Sequence, residues 1–167
     1  IMILLSISSL YILLKKPNDP AAMLFFIYLQ QMTVIMNSGN LMLTDPVALV
    51  ANIAFHFSSC LLGPVLIHFH LPFPRRVNFY HRVKRLPILL YTSGLVIFIA
   101  YSASLIFHIK TGYRRDSIFF EIEKIALWWL TMCFFLALVI VIIHYLTLKD
   151  TLSRNQLRMV IIGSFFG

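Results

Sequence analysis

Residues 125–148 read IALWWLTMCFFLALVIVIIHYLTL and contain no Asp, Glu, Lys or Arg. An α-helix needs about 20 apolar residues to cross the hydrocarbon core of a bilayer, so this stretch is long enough to span a membrane. Three other internal stretches also lack charged residues, and they cover 20–44, 46–74 and 86–109. The spacing of the charges therefore predicts a chain that crosses the membrane several times.

The composition agrees with an all-α membrane protein. Hydrophobic residues make up 60 % of the 167 residues and charged residues 12 %, with a mean hydropathy of +0.87, whereas soluble chains are about one quarter charged. We predict one domain over 1–167, a polytopic transmembrane helix bundle with four complete spans and two truncated ones. The spans lie at about 1–14, 21–43, 47–71, 86–109, 125–148 and 159–167. Because both chain ends fall inside apolar runs, we expect a fragment of a longer protein.

Several classes of protein are disfavoured. The longest predicted loop is about a dozen residues, too short for a soluble catalytic domain, and there is no Gly-rich phosphate loop, CxxC or HExxH. The net charge of +8 does not require a nucleic-acid partner, because basic residues beside spans report topology and contact anionic headgroups. Cys60 and Cys133 both fall inside spans, so no disulfide framework is implied. We expect no catalysis, no metal and no nucleic acid here.

The distribution of Lys and Arg predicts the orientation. The loops after the first, third and fifth spans hold ten of the fourteen, and the other loops hold four. Because cytoplasmic loops carry the excess of Lys and Arg, we place loops 15–20, 72–85 and 149–158 in the cytoplasm and expect a plasma-membrane protein. Trp128 and Trp129 then lie at the outer start of the fifth span, as in an aromatic belt.

The stretch before the fifth span has a helix signal of its own. Asp116 or Ser117 can cap a helix that begins at Ile118. This helix is either an extension of the fifth span, which we favour, or a separate interfacial helix. All six acidic residues fall outside the predicted spans, which disfavours a pump or an ion-driven transporter but leaves a channel or facilitator open.

The second span carries the most polar face. Gln30, Thr33, Asn37 and Asn40 follow at helical spacing and share one face. Amides that faced lipid would be unsatisfied, so this face must contact other helices or a cavity. We favour hydrogen bonding between helices. The functional alternative is the polar wall of a ligand site, to which the third span would add Ser58 and Ser59.

The third span also contains Gly63-Pro64, where a proline frees backbone carbonyl groups for neighbours to satisfy. A kink there is more often a packing feature than a hinge. The histidines allow one cofactor alternative, since a haem or chlorin held by two imidazoles needs them at matching depth on facing helices. His68, His70 and His144 lie near the predicted inner ends of their spans. Interfacial histidines are common, so we favour no cofactor.

Two stretches resemble multi-pass bacterial sensor histidine kinases. His68-Phe69-His70-Leu71-Pro72-Phe73-Pro74-Arg75-Arg76 is similar to their H-F-x-x-x-F-P-x-R ending of a span. Ser153-Arg154-Asn155-Gln156-Leu157-Arg158 is similar to their R-x-Q-L-R opening of a later span, although Met159 replaces the aromatic residue that often follows. The layout of the whole chain resembles the membrane region of quorum-sensing competence kinases, and the motifs cover about twenty residues.

The resemblance implies a bacterial sensory region that binds a hydrophobic or lipidated peptide among its helices. It also implies a homodimer, and a kinase core that would lie outside this chain. A ligand that binds one helix packing better than another would shift the equilibrium between them. We therefore expect the membrane-embedded sensory region of a larger signalling protein. The alternative is a cofactor-binding or structural subunit of a membrane redox or photosynthetic complex.

Overall fold

The structure is a computed structural model, and it describes residues 2–38, 46–73, 85–111, 118–148, 150–155 and 157–158. Its main elements are five helices, α1 (Met2–Lys15), α2 (Pro20–Ser38), α3 (Pro46–His70), α4 (Leu86–Lys110) and α5 (Ile118–Thr147). The described residues contain no β-strand. Four helices, α2 to α5, are long and apolar enough to cross a membrane. The prediction of an all-α, multi-pass helix bundle is confirmed.

Most helix boundaries lie close to the ends of the stretches that contain no charged residue. α3 and α4 differ from their predicted spans by no more than one residue at either end. α5 begins at Ile118, seven residues before the predicted start, and runs to Thr147 without a break. The stretch before the fifth span is thus part of the same helix. The predicted caps Asp116 and Ser117 and the predicted span 159–167 lie outside the described residues.

α3 is the central helix of the bundle. It contacts α2, α4 and α5, whereas α1 contacts α2 alone among the described helices. Contacts along α3 fix the direction of its neighbours: α4 runs antiparallel, because Tyr101 meets Asn52 and Tyr91 meets His68. α5 runs parallel to α3, because Glu123 meets His56 in the N-terminal half of each helix and His144 meets Phe73 at the far end.

Small residues allow the three helices to approach closely in the middle of the bundle. Gly63 on α3 lies against Cys133 on α5, in a space that a Cβ atom would overfill. Gly94 on α4 lies against α3, where an added Cβ would come within 2.5 Å of the Cys60 carbonyl oxygen. Such contacts are typical of membrane bundles, in which association depends on close van der Waals packing.

A backbone group released by Pro64 is satisfied by a neighbouring helix. Proline has no N–H, so the carbonyl of Cys60, four residues earlier, loses its partner within α3. Trp129 on α5 donates its indole N–H to this carbonyl, with a distance of 3.0 Å between Nε1 and the oxygen. Trp129 thus packs against α3 beside Pro64, and its location at the outer start of the fifth span stays a prediction. Because α5 begins earlier than predicted, Trp129 lies about 16 Å along it.

The core is split between the two ends of α3. At its C-terminal end, Ile67 and Leu71 pack with Leu90 of α4 and Ala137 of α5. At its N-terminal end, the buried cluster consists of Tyr101, Leu105 and Phe119. Large apolar side chains remain exposed on the outside of α4 and α5, including Trp128, whose exposed fraction is 70 %. In a chain with four membrane-crossing helices, these side chains face lipid.

Candidate functional site

The predicted polar face of α2 contacts α1. Gln30 donates from Nε2 to the Ser9 hydroxyl over 3.1 Å, and Ser9 is fully buried. The hydroxyl groups of Thr33 and Ser6 lie 3.5 Å apart. These are the interhelical hydrogen bonds that we favoured for this face, and they occupy two of the groups that a ligand would need.

The predicted ligand site includes four further residues, Asn37, Asn40, Ser58 and Ser59. Asn37 is exposed and donates to the Thr33 carbonyl in its own helix, and Asn40 lies outside the described residues. Ser58 and Ser59 are buried on α3, and within the part of the chain that the structure describes no hydrogen bond joins them to this face of α2. The ligand role of these six residues stays a prediction.

The three histidines of the cofactor alternative lie at the C-terminal end of α3. His68 Nδ1 is 3.4 Å from the Tyr91 hydroxyl, and His144 Nδ1 is 3.1 Å from the carbonyl oxygen of Phe73. His70 is buried, and its Nδ1 has no hydrogen-bond partner among the described residues. All three side chains thus pack near one end of the bundle.

A cavity of about 290 Å³ at this end does not connect these histidines. Its walls come from α2, α3, α4 and the residues after α3, and they include His68 but neither His70 nor His144; the lining residues are Pro20, Met23, Leu24, Ile27, His68, Pro72 and Tyr91. Among the residues that the structure describes, no group of three or more His, Cys, Asp or Glu side chains could hold a metal ion. The cofactor role of these histidines stays a prediction.

A polar cluster that the sequence did not predict lies at the N-terminal end of α3. We call Asn52, His56, Tyr101 and Glu123 the His56 cluster. The Tyr101 hydroxyl donates to Asn52 Oδ1 over 2.6 Å, and Tyr101 is fully buried. Its ring stacks on the His56 imidazole, with centroids 3.7 Å apart and an angle of 12° between the planes. Three helices therefore meet at one buried histidine.

Glu123 brings a carboxylate to this cluster. Its Oε1 lies 3.9 Å from His56 Nε2, and the exposed side-chain fractions are 38 % for Glu123 and 7 % for His56. Glu123 precedes the predicted fifth span 125–148, as all six acidic residues were expected to lie outside the spans. Because α5 begins at Ile118, Glu123 belongs to the helix and its side chain reaches α3. Next to this contact, Phe119 stacks on His108 with their centroids 4.8 Å apart.

Two sequence signals could have indicated the His56 cluster. Asn52 and His56 are four residues apart and so share one face of α3. The helix that begins at Ile118 places Glu123 in its second turn. Neither signal indicates which face of α5 contacts α3, because the two helices are not consecutive in the chain.

Comparison with known proteins gives no assignment, because no protein-family model, no curated protein and no solved structure matches the chain. Any functional inference rests on the chain itself. Its two most informative features are the hydrogen bond from Trp129 to the Cys60 carbonyl, beside Pro64, and the His56 cluster, which both join α3 to α5.

Proposed function

We propose that the chain is the membrane-embedded sensory region of a larger signalling protein, and that α3 transmits the signal. The observation that carries the proposal is the bond from Trp129 to the carbonyl that Pro64 leaves without a partner in its own helix. An unsatisfied backbone group in the hydrocarbon region costs several kcal/mol. The packing of α5 on α3 is thus coupled to the state of the α3 backbone.

This coupling suits a helix that changes between discrete arrangements. α3 contacts α2, α4 and α5, so a shift at Pro64 changes its contacts with three neighbours. Packed helices respond to small shifts by repacking between discrete arrangements, since close-packed interfaces do not deform continuously. A ligand that binds one arrangement better than the other shifts the population toward it.

The finer proposal is a sensor histidine kinase of the bacterial plasma membrane, acting as a homodimer. It is supported by the two motifs at 68–76 and 153–158. The ligand would be a hydrophobic or lipidated peptide, and its proposed contacts are Gln30, Thr33, Asn37, Asn40, Ser58 and Ser59. Because Gln30 and Thr33 bond to α1, the ligand would have to displace α1 or bind beside it.

The test measures autophosphorylation of the full-length protein in membrane vesicles supplied with labelled ATP. Trp129→Phe removes the N–H donor and keeps an aromatic ring, whereas Trp128→Phe makes the same change at an exposed neighbour. Changes along coupling elements alter equilibria by about 0.5–2 kcal/mol, so we expect W129F to change basal phosphorylation two-fold or more and W128F to match wild type.

Two outcomes separate the parts of the proposal. If the full-length protein takes up no phosphate from ATP on a histidine, the assignment to a histidine kinase is wrong. If it does but W129F and W128F behave alike, the protein is a kinase and the proposed role of α3 is wrong.

A further inference from the structure

One ring nitrogen of the His56 imidazole lies next to a backbone carbonyl oxygen, a group that can only accept hydrogen bonds. Its Nδ1 lies 3.0 Å from the backbone oxygen of Asn52, one turn earlier in α3. A carbonyl oxygen can only accept a hydrogen bond, so this nitrogen carries a proton. In a neutral ring the other nitrogen, Nε2, then carries a lone pair and no proton.

That lone pair faces a second acceptor. Glu123 Oε1 lies 3.9 Å from Nε2, and an ionised carboxylate can only accept hydrogen bonds. Two acceptors that face each other across a partly buried gap are satisfied by a proton placed between them. A charge-assisted N–H···O bond is about 2.7–2.9 Å long, which is about 1 Å shorter than the present separation.

We propose that His56 Nε2 and the Glu123 carboxylate form a proton-binding site that ties α5 to α3 in the N-terminal half of each helix. Hydronium in the aqueous phase transfers a proton to the Nε2 lone pair, so that one O–H bond breaks, one N–H bond forms and water is released, and the imidazolium then donates to Glu123. The proposal rests on this contact and not on the signalling function. The ring is already oriented, because it stacks on Tyr101 and its Nδ1 is fixed by Asn52.

Glu123 is the carboxylate that lies opposite His56 Nε2, and the other titratable groups near His56 come from α2, α3 and α4. α4 contributes Tyr101, whose hydroxyl donates to Asn52, and His108, whose ring stacks on Phe119. α3 itself contributes Cys60, one turn further on, and the titratable side chain of α2 is Tyr28. A metal ion fits less well, since in the described part of the chain no three ligand-type side chains converge.

The first test follows the ¹⁵N signals of the histidine rings in the protein in detergent micelles between pH 5 and pH 8. His56→Gln assigns the His56 signals by their loss. We expect Nδ1 to stay protonated throughout and Nε2 to gain its proton as the pH falls. A partly exposed ion pair changes a proton-binding equilibrium by less than about tenfold, which is less than one pH unit. Glu123→Gln should therefore lower the midpoint of this proton uptake by about half a pH unit.

Glu121→Gln is the matched control. It removes the same charge two residues earlier on α5, from a carboxylate that pairs with exposed Lys124 at 2.7 Å. We expect E121Q to leave the midpoint of His56 near its wild-type value. Equal shifts in E121Q and E123Q would overturn the site, because they would show a general effect of net charge. An Nε2 that stays unprotonated down to pH 5 would also overturn it.

A second measurement does not depend on the His56 variant. The thermal unfolding of wild type, E123Q and E121Q is compared in detergent at pH 5.5 and at pH 8. The pair exists only when His56 is protonated, so its contribution to stability is larger at the lower pH. We expect the loss of melting temperature in E123Q to be larger at pH 5.5. Zn²⁺ that stabilises wild type but not E123Q at pH 8 would instead assign the contact to a metal.

Discussion

Gly94 is a residue at which the size of one side chain decides how two helices pack. A Cβ atom there would lie 2.5 Å from the Cys60 carbonyl oxygen, which belongs to the backbone of α3 and cannot rotate away. Overpacking costs about 1–3 kcal/mol, whereas replacing glycine by alanine within a helix gains up to about 1 kcal/mol. We therefore expect Gly94→Ala to lower the melting temperature in detergent.

The neighbouring Ser93 provides the control for this change. It is exposed on the same turn of α4, so Ser93→Ala makes no new contact with α3 and should leave the melting temperature nearly unchanged. A G94A variant as stable as S93A would show that α4 can move away from α3 without cost, and the close approach would then not be important for stability.

Tyr101 and Tyr91 allow the contribution of a tyrosine hydroxyl group to stability to be compared at two positions on the same helix. The Tyr101 hydroxyl donates to Asn52 over 2.6 Å, whereas that of Tyr91 is 3.4 Å from His68. Hydrogen bonds between membrane helices average about 0.6 kcal/mol and reach about 1.7 kcal/mol. We expect Tyr101→Phe to lower the free energy of unfolding by about 1 kcal/mol and Tyr91→Phe by less. Equal losses of unfolding free energy in the two variants would contradict the expectation that the shorter hydrogen bond contributes more.

At the scale of elements, α1 is held by α2 alone among the described helices. Its buried contact is Ser9, which accepts from Gln30, while the adjacent Ser8 is exposed. We expect Ser9→Ala to weaken the α1–α2 pair by about 0.6–1 kcal/mol and Ser8→Ala to leave it unchanged. Proteolysis within the α1–α2 loop in detergent measures this, since a looser pair should be cut faster. Equal cleavage rates would count against the contact.

The ends of the helices could be predicted from the sequence because charged residues are expelled from the hydrocarbon core. Contacts between consecutive helices are also partly predictable, and the polar face of α2 does meet α1. The α3–α5 contacts were not predictable, because they depend on the rotation of two helices separated by α4. Trp129 and Glu123, the α5 residues that make these contacts, were not predicted to meet α3.

At the scale of the whole molecule, the cofactor alternative has a direct test. His68, His70 and His144 lie near one end of the bundle, yet the cavity there is lined by His68 alone of the three. We expect the purified protein to have no visible absorption band, either oxidised or reduced with dithionite. A Soret band that shifts on reduction, or a chlorin band, would contradict the sensory function and would make the three histidines the first residues to substitute.

The orientation of the bundle is the property on which the positions of all loops depend. α1 ends and α2 begins at the same end of the bundle as the C-terminus of α3. In the sequence, the segments that follow the first, third and fifth spans hold ten of the fourteen basic residues. Positive-inside bias therefore predicts that Asn18 is cytoplasmic and that Thr111, just after α4, is outside. Both residues are exposed. We expect a membrane-impermeant maleimide to label Thr111→Cys on intact cells and to leave Asn18→Cys unlabelled until the cells are permeabilised.

The native cysteines give little background in this experiment, because Cys60 and Cys133 are buried in the middle of the bundle. Labelling of the parent chain without added cysteines measures the background that remains. Labelling of Asn18→Cys but not Thr111→Cys on intact cells would invert the predicted orientation. The His56 cluster lies at the same end as Thr111, so this outcome would also decide which aqueous phase supplies its proton. With the predicted orientation that phase is the extracytoplasmic one, and His56 would respond to the pH outside the cell.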